Sequence, residues 1–509
     1  MRSQCHYFLF ITMFTFTLLT TFTPSTSLNI SKLMPFRPGF RRLFRSPSTT
    51  TKSISNNNNN NNNKGITSAP SRSKTTKAAK ARRLATKIPP PPPPLPSAFP
   101  PESFLPKPFF TQEVLHSSSK PGSKARVTRI TTPHGSFLTP SFVAVATNGA
   151  LKALTIPSAR KSKQDLIFCN SYHLLLQPGP EVIKEAGGIH KFMGMREDDG
   201  TMKPIITDSG GFQVFSLKYG TVYEDLKTDN RSGSFNSDLD PKISQKGTQK
   251  VTEEGVIFTS YRDGAKVLLT PESTILAQKD YGSDIIIPLD ELPSYDTSLE
   301  DLRKSVDLTH RWEGRSLIEH YKNVKNQAIY GVVHGGVSKE IRSQSLEYLS
   351  GLPFDGFAVG GSLGGNREEM KEMLEYVMGE YRVIEETKFG RSKPVHLLGI
   401  ADESSILQTV SLGIDTYDSC FPTRLARHGT LLTRSGKLHI KSSKHSKSYG
   451  IPIDEECECE TCKRYDRAYL NHLLKAKEPV FYELATQHNL RYMNDLMEGI
   501  REKIMNDEI

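Results

Sequence analysis

The first 101 residues contain no aspartate or glutamate, and the first acidic residue of the chain is Glu102. The same stretch has fifteen lysines and arginines, so it holds the whole positive excess of a chain whose formal charge is +11. The remaining 408 residues carry 51 basic and 55 acidic side chains. This balance excludes a positive electrostatic field over residues 102–509 as a whole, so a nucleic acid would have to be bound there by a local basic patch.

Cysteine is also scarce, with six in 509 residues, yet Cys457, Cys459 and Cys462 lie within six positions. This spacing is typical of a metal site and not of a set of disulfides. A fourth ligand must come from elsewhere, and the downstream candidates are His472 and His488. Cys₃His is a common structural zinc set. Because thiolate ligands need a reducing compartment, the pattern disfavours secretion.

Apolar runs long enough to cross a membrane are missing. The stretch YFLFITMFTFTLLTTF near the N-terminus is short and broken by threonines, which indicates a signal-type segment. Arginine-rich stretches, eight asparagines (Asn56–Asn63) and six prolines (Pro89–Pro94) follow. We interpret residues 1–110 as a targeting leader with a low-complexity, disordered part. We expect import into a plastid, with a mitochondrion second and the cytoplasm as fallback; the alternative is a tethering or RNA-contacting tail.

Eight short apolar runs follow, and most of them stop at glycine or a polar residue. They cover residues 142–149, 166–173, 204–211, 284–291, 328–336, 356–362, 395–400 and 416–423. Near-continuous β-branched runs are typical of buried parallel strands, and helix-like segments separate most of them. The pattern predicts an α/β fold, a (β/α)₈ TIM-type barrel, with a doubly wound open sheet as the rival. A hairpin with Asp263-Gly264 in its turn is predicted before the fourth strand.

Polar residues stand at or beside the ends of these predicted strands. They include Asp208 in TDSGG, Asp290, His334, the pair Gly360-Gly361, and Asp418. Active sites of such barrels lie at the C-terminal ends of the strands, so we expect these residues to meet at one mouth. Each also has a structural interpretation, such as a helix cap or a satisfied core imidazole. Their occurrence together at one end favours function.

Several long motifs resemble those of the tRNA-guanine transglycosylases. These are TDSGGFQVFSL, EEGVIFTSYRDG, LLTPE, GIDTYDSCFPTRLARHG and CECETCKRYDRAYLNHL, within a similarity that runs from Val127 to Arg501. The resemblance implies a barrel domain at about 123–509 with a C-terminal zinc-binding subdomain at about 437–490. It implies exchange of the wobble guanine of tRNA for a 7-deazaguanine base, and it selects His488 as the zinc histidine. Retention at the ribose carbon calls for a covalent intermediate.

The resemblance also assigns roles to residues. Asp418 matches the nucleophile and Asp208 the general acid/base. The expected base-binding set is Ser209, Gly210, Gly211, Phe212, Asp290, His334, Gly361 and Gly364. Thr423, Arg424 and Arg427 match the contacts to the wobble region of tRNA.

The chain departs from the family pattern at a few positions. His334 stands where many bacterial members have glutamine, Ser362 where leucine is common, and Asn366 where an acid is common, and residues 218–250 form an insertion. Gly364 stands where bacterial relatives commonly have valine, which predicts room for queuine and a preference for it. We expect a homodimer, or a heterodimer with a non-catalytic homologue, and no membrane association.

Two rival functions come from other classes. A non-catalytic partner subunit would be expected to lose the catalytic carboxylates, whereas Asp208, Asp290 and Asp418 are all present. A barrel hydrolase acting on a small nucleoside would need neither the cysteine motif nor the TRLAR segment. Binding of tRNA distinguishes a transglycosylase from the nucleoside hydrolase. Turnover distinguishes it from the non-catalytic subunit.

Overall fold

The structure, a computed structural model, describes residues 89–196, 202–219, 250–389 and 391–509. Most of the expected leader and most of the expected insertion at 218–250 lie outside the described residues.

Sixteen strands occur in the described ranges. They are β1 (Thr111–Ser117), β2 (Arg126–Thr132), β3 (Gly135–Thr139), β4 (Ser141–Ala146), β5 (Ile167–Cys169), β6 (Ile205–Thr207), β7 (Lys250–Val251), β8 (Val256–Thr259), β9 (Lys266–Leu269), β10 (Ile285–Ile286), β11 (Ala328–Val333), β12 (Gly356–Val359), β13 (Val395–Leu397), β14 (Thr416–Ser419), β15 (Thr430–Thr433) and β16 (Gly436–His439).

Fourteen α-helices occur in the same ranges. They are α1 (Ile156–Lys161), α2 (Ser171–Leu176), α3 (Pro180–Glu185), α4 (Ile189–Phe192), α5 (Gly211–Tyr219), α6 (Pro271–Tyr281), α7 (Leu299–Lys322), α8 (Lys339–Ser350), α9 (Arg367–Ile384), α10 (Glu403–Thr409), α11 (Phe421–Arg427), α12 (Glu460–Arg464), α13 (Arg467–Ala476) and α14 (Pro479–Met505). None of these helices is both long enough and apolar enough to span a membrane.

Eight parallel strands close into a barrel in the order β10-β11-β12-β13-β14-β4-β5-β6. Each of the eight predicted apolar runs overlaps one of these strands, so the TIM-type barrel is confirmed and the open sheet is excluded. The observed strands are shorter than the runs. In the last run the strand ends at Ser419 and a helix begins at Phe421. The residues between each strand end and the next helix form the loops of one barrel end.

The barrel strands are apolar on both faces, which explains their near-continuous hydrophobic sequence. On β4, Val143 and Val145 belong to the cluster inside the barrel. Phe142, Ala144 and Ala146 belong to the cluster beneath the helices. Two separate cores therefore hold each strand in place, and the loops that follow the strands start from fixed points.

An antiparallel sheet of β1, β2 and β3 packs on the N-terminal end of the barrel. Arg126 on β2 donates from Nη2 to Asp415 Oδ2 at 2.7 Å, and Asp415 directly precedes β14. His134, in the turn between β2 and β3, donates its backbone N–H to Asp284 Oδ1 at 3.1 Å, just before β10. These contacts close the end of the barrel opposite the expected mouth.

The predicted hairpin before the fourth barrel strand is present. β8 and β9 pair antiparallel from Val256↔Leu269 to Thr259↔Lys266, and Asp263-Gly264 lies in the loop between them. β7 adds a third strand that the sequence pattern did not predict.

The part of the expected leader that the structure describes packs on the barrel. Phe99 and Phe110 are each 5 % exposed. Phe99 contacts Tyr321 of α7 edge to face at 6.4 Å, and the Tyr348 hydroxyl donates to Pro94 O at 3.0 Å. The packed chain thus begins upstream of residue 110, because Phe99 packs against an outer helix and Phe110 joins the core inside the barrel.

The C-terminal residues form a small unit with its own apolar core, in which Leu431, Ile440, Leu470 and Phe481 are buried together. It contains β15, β16, α12, α13 and the start of α14. Helix α14 continues onto the barrel, where Leu490 and later apolar residues join the outer barrel core. A single long helix therefore connects this unit rigidly to the barrel.

Candidate active site and metal centre

Asp208 follows β6 directly, and its side chain is held by donors on three sides. Oδ1 accepts the backbone N–H of Ser171 at 2.6 Å and of Gly210 at 3.2 Å. Oδ2 accepts the side-chain amides of Asn170 at 2.8 Å and Gln213 at 3.1 Å. The aspartate that ends the apolar run IIT is thus fixed in orientation at the mouth by the loop after β5 and by helix α5.

Burial dominates the electrostatics of this carboxyl group. Asp208 is 8 % exposed, and desolvation raises its pKa to about 6, although the four hydrogen bonds favour the charged form. A carboxyl group with a pKa near 6 exchanges its proton easily around neutral pH. This property suits a group that must act as an acid in one step and as a base in the next.

Asp418 lies on β14 and is held by one oxygen. His396 Nε2 on β13 is 3.1 Å from Asp418 Oδ1, and the backbone N–H of Gly399 donates to the same oxygen at 2.8 Å. His396 Nδ1 in turn is 2.8 Å from the Thr416 hydroxyl, so the hydroxyl can donate to Nδ1 while Nε2–H points at Asp418. Oδ2 of Asp418 makes no hydrogen bond to the described residues and is left for a ligand.

Asp290 and His334 form a buried pair. Asp290 Oδ2 lies 2.6 Å from His334 Nε2, and the two residues are 6 % and 2 % exposed. Asp290 follows β10 and His334 follows β11, which are neighbouring strands. The barrel therefore brings together two groups that lie 44 residues apart in sequence.

The strand order fixes how these groups face each other. Asp208 and Asp290 follow the adjacent strands β6 and β10, whereas Asp418 lies on β14, three strands from β6 on the other side. Phe212, in the first turn of α5, is 38 % exposed beside Asp208 and can stack on a flat ligand. A cavity of about 310 Å³ opens beside His334 and Gly361, and neither Asp208 nor Asp418 lines it.

The loops around the mouth explain some of the glycines. Gly361 has φ +76°, and a Cβ there would lie 2.9 Å from His334 Nδ1. Ser209, Gly210 and Gly211 form the turn into α5, with the Gly211 N–H donating to the Ser209 hydroxyl at 3.2 Å. A side chain in place of Gly361 would therefore displace the imidazole of His334.

The structure corrects our argument on base preference. Gly364 has φ +143°, and a Cβ there would meet Glu369 Cβ at 2.6 Å, in the first turn of α9. Asn366 is the N-cap of that helix and accepts the Glu369 N–H at 2.9 Å. Glycine at 364 is thus required by the backbone and by the helix start, and its lack of a side chain does not enlarge the mouth. A valine substitution would strain the loop and would not test the size of the base.

Helix α11 carries the three residues expected to contact RNA. Arg424 and Arg427 are half-buried; Arg424 Nη2 lies 3.1 Å from Cys420 Sγ, and Arg427 Nη1 donates to Thr423 O at 3.0 Å. Thr423 is fully buried, and its hydroxyl donates to Cys420 O at 3.1 Å. The structure therefore places the arginines near the rim, while the Thr423 hydroxyl is bonded back to the carbonyl at the helix start and does not reach the surface.

Sequence reasoning missed a basic surface next to this helix. Residues 419–453 contain seven lysines and arginines and no acidic residue, and this absence was the available signal. Lys437, Lys441, Lys444 and Lys447, which we call the basic segment, are all exposed. Among the described residues none of the four makes an ion pair, and Lys437 Nζ lies 5.5 Å from the centre of the Phe421 ring. These exposed lysines give the surface next to α11 a local positive charge.

It also missed residues that hold the catalytic candidates. Asn170 and Ser171 stand near the end of a predicted apolar run. A polar pair at that place could have marked them as residues of the site. His396 sits inside an apolar run on β13, and only its alignment beside β14 reveals its contact with Asp418. Arg342 on α8 is fully buried and donates to the carbonyls of Val333, Gly336, Gly360 and Ser362, which no sequence pattern indicated.

The four expected metal ligands meet in one cluster. Sγ atoms of Cys457, Cys459 and Cys462 lie 3.5, 3.6 and 3.3 Å from His488 Nδ1. His488 Nε2 is 2.7 Å from Leu432 O, so it carries the proton and leaves the Nδ1 lone pair for a metal. The donor set fits a tetrahedral thiolate-imidazole site and could hold a metal ion. His472 lies elsewhere, next to Tyr469.

A second cluster with possible metal ligands lies at the closed end of the barrel. His134 Nδ1 and His190 Nε2 contact opposite oxygens of Asp284 at 2.9 and 3.0 Å. Asp284 also accepts the backbone N–H groups of His134 and Ile205, and the two imidazoles stack at 3.7 Å. Near-parallel rings cannot both point in-plane lone pairs at one ion, so we interpret this cluster as a hydrogen-bonded support for the barrel.

Comparison with known proteins agrees with this arrangement. The sequence model of the family described as Queuine tRNA-ribosyltransferase matches residues 120–509. A protein of that name from Protochlamydia amoebophila is 49 % identical over 401 residues, 79 % of this chain and 97 % of the relative. Relatives of that name from Chlamydia caviae and Chlamydia pneumoniae are 46 % and 45 % identical over 397 residues, each covering 78 % of this chain and 98 % of the relative. The chain therefore belongs to the queuine tRNA-ribosyltransferase family, the tRNA-guanine transglycosylases, and is a pentosyltransferase.

Proposed function

We propose that this enzyme exchanges the wobble guanine of tRNA for queuine, or a related 7-deazaguanine base, by double displacement at the ribose carbon. The proposal rests on the different environments of two carboxyl groups at the barrel mouth, those of Asp418 and Asp208. Asp418 keeps one oxygen without a partner among the described residues, while burial raises the pKa of Asp208 to about 6. Because the two carboxyl groups lie in different environments, they suit different roles: Asp418 that of the nucleophile, and Asp208 that of the acid/base.

In the first step, Asp418 Oδ2 attacks ribose C1′. The bond between C1′ and the guanine nitrogen breaks, its electron pair goes to the base, and the proton of Asp208 neutralises the leaving base. In the second step, the incoming base attacks C1′ and expels the Asp418 carboxylate, and Asp208 takes the proton that the base loses. The hydrogen bonds from His396 and Gly399 to Oδ1 aim Oδ2 in both steps.

Base recognition rests on the groups next to Asp208. Asp290 has an oxygen not bonded to His334 that can accept N–H groups of the base, and Phe212 can stack on its ring. The names of the family and of its relatives support queuine as the incoming base. Gly364 does not enlarge the mouth, so it does not bear on the choice of base.

Binding of tRNA is proposed for the rim beyond Asp418. Arg424 and Arg427 on α11 continue into the basic segment, so a positive surface adjoins the nucleophile. A near-neutral body with one local patch suits recognition of a loop whose phosphates are bound at one side while one base enters the mouth.

We propose zinc as the ion of the Cys₃His cluster, in a structural role. A closed four-ligand site has no open position for substrate, and it lies in the core that joins β15 to α14. Its contribution to catalysis is to fix the unit next to α11 and the basic segment.

The compartment is proposed from the sequence of the leader. An enzyme that acts on tRNA and needs reduced thiolates requires a compartment that contains both, and a plastid satisfies the two conditions. A fluorescent reporter fused to residues 1–110 is expected to enter plastids. Secretion or a diffuse cytosolic signal would refute this.

The function is tested by incubating the purified protein with tRNA and labelled guanine. We expect label to enter tRNA, and unlabelled queuine to displace it irreversibly. Binding of tRNA without incorporation would identify a non-catalytic subunit instead. Cleavage of free guanosine with no affinity for tRNA would identify the nucleoside hydrolase. The Asp418→Asn variant serves as the matched inactive protein.

A further inference from the structure

Residues 89–110, which we call the strap, precede the region that the family model matches, yet they pack on the barrel. That region begins at residue 120. The strap crosses helices α7 and α8 and ends at Phe110, whose ring joins the core inside the barrel and meets Tyr330 edge to face at 6.0 Å. The strap is therefore folded chain that the matched region does not include.

Pro94 lies in the groove between α7 and α8 and contacts both helices. On α7, a Cβ on Gly314 would stand 2.5 Å from Pro94 Cδ and 2.7 Å from Pro94 Cγ. On α8, the Tyr348 hydroxyl donates to Pro94 O at 3.0 Å, and the Tyr348 ring lies 4.5 Å from the ring of His310 on α7. Glycine inside a helix is less stable than alanine. The contact with Pro94 gives Gly314 a structural reason, because only a residue without a side chain leaves room for the proline ring.

Tyr321, one of the last residues of α7, forms a second point of contact. Phe99 meets its ring edge to face at 6.4 Å, and its hydroxyl lies 3.1 Å from the carbonyl oxygen of Ser103. Lys107 Nζ donates to the same carbonyl at 2.7 Å and lies 5.0 Å from the centre of the Tyr321 ring. Ser103 itself is 4 % exposed. The strap is thus held on α7 at two separate places.

The proline-rich sequence of the strap suits this mode of packing. Proline has no N–H group, so an extended proline chain can lie on a surface without leaving a donor unpaired, and its fixed φ reduces the entropy lost on docking. The backbone is extended at Leu95 (φ −85°, ψ 162°) and at Pro100 (φ −65°, ψ 145°), close to polyproline II. The strap carbonyls still need donors, and tyrosine hydroxyls supply them. Grooves lined by aromatic residues are a general means of binding proline-rich chain.

We propose that the groove between α7 and α8 is a proline-recognition surface whose ligand is the strap of the same chain, and that the strap is kept in the working enzyme. Removal of the N-terminal leader therefore ends before Pro94. Helices α7 and α8 follow the loops that begin with Asp290 and His334, so the strap fastens together the two helices behind this side of the mouth. The limit on processing rests on the proposed leader, whereas the recognition of the strap does not depend on the leader or on the reaction.

Thermal unfolding of point variants, with zinc in the buffer, tests the contact with α7. Gly314→Ala places a Cβ against Pro94, and Gly379→Ala on α9, where a Cβ would meet nothing within 4 Å, is the matched control. Alanine favours the helix at both positions. We expect Gly379→Ala to raise Tm by about 2 °C and Gly314→Ala to lower it by about as much.

A double variant shows whether the loss comes from the strap. Pro94→Ala removes the Cγ and Cδ atoms and leaves a Cβ 3.4 Å from the new Cβ, which is ordinary contact. In this background Gly314→Ala is expected to raise Tm relative to Pro94→Ala alone. If Gly314→Ala raised Tm in the wild-type background, as Gly379→Ala does, the strap would not bind in the groove. A loss of Tm that Pro94→Ala failed to relieve would also overturn the inference.

The retention of the strap is tested on the enzyme isolated from the cells that make it, by mass spectrometry of its N-terminal peptide. The chain is expected to start upstream of Pro94, and a start at Pro94 or beyond would overturn the inference. An uncut chain would refute the leader and would still retain the strap. Failure of guanine exchange would refute the proposed function alone, because neither measurement involves turnover.

Discussion

The raised pKa of Asp208 predicts a cost in stability that depends on pH. Burial moves the pKa from 3.8 to about 6, so the folded state binds more protons than the unfolded state between these values. Stability from this group is therefore complete below pH 3.8 and is lost as the pH rises through about 6. A shift of this size corresponds to about 3 kcal/mol at neutral pH, of which about 1 kcal/mol is lost between pH 5 and pH 7.5.

Asp208→Asn removes this ionisation while keeping the shape of the side chain. Its amide oxygen can still accept from Ser171 and Gly210. The new NH₂ group faces the amides of Asn170 and Gln213, which can turn their oxygens toward it. The variant is expected to lose guanine exchange and to gain stability relative to the wild type by about 1 kcal/mol as the pH rises from 5 to 7.5.

Urea unfolding at pH 5, 6 and 7.5, with zinc in the buffer, measures the difference between the two proteins. Asp307→Asn, which removes an exposed carboxylate from α7, is the control and is expected to follow the wild-type slope. If the wild type and Asp208→Asn lost stability in parallel over this range, burial would not be raising the pKa of Asp208. The assignment of its acid/base role would then lose its electrostatic basis.

Other variants test the remaining assignments. Asp418→Asn should lower exchange to on the order of one-thousandth or less and should abolish a denaturation-resistant adduct with tRNA, while retention of near-normal turnover would exclude it as nucleophile. Cys459→Ala should reduce zinc, measured by elemental analysis, below one ion per chain and should melt the C-terminal unit at lower temperature; full zinc content would contradict the ligand set. Replacing Lys441, Lys444 and Lys447 with alanine should raise the Kd for tRNA roughly tenfold and flatten its salt dependence at unchanged kcat, and an unaltered salt dependence would remove the basic segment from the RNA surface.

Several features of the fold could be read from the chain because they are local or periodic. The eight apolar runs predicted the barrel, since a strand covered on both faces needs a continuous hydrophobic sequence. The cysteine spacing predicted the metal cluster, because three thiolates on one short loop can reach one ion without help from the fold. The hairpin was predicted by its turn, although its third strand was not.

The site depended more on the tertiary structure. The sequence showed polar residues at strand ends, but the contacts of His396 with Asp418 and of His334 with Asp290 join different strands, and only closure of the barrel sets them. The meaning of Gly364 also changed, because the direction of its Cβ depends on where helix α9 begins. Thr423 matched an RNA motif, yet the start of α11 turned its hydroxyl inward.

The sequence by itself determined the barrel, the cysteine loop and the carboxylates at the strand ends, because strand periodicity and ligand spacing are properties of neighbouring residues. The tertiary structure decided which oxygen of Asp418 is left without a hydrogen bond to the described residues, how far burial raises the pKa of Asp208, and which nitrogen of His334 contacts Asp290. Those properties depend on distances between side chains that are far apart in the chain, and the closed sheet sets these distances.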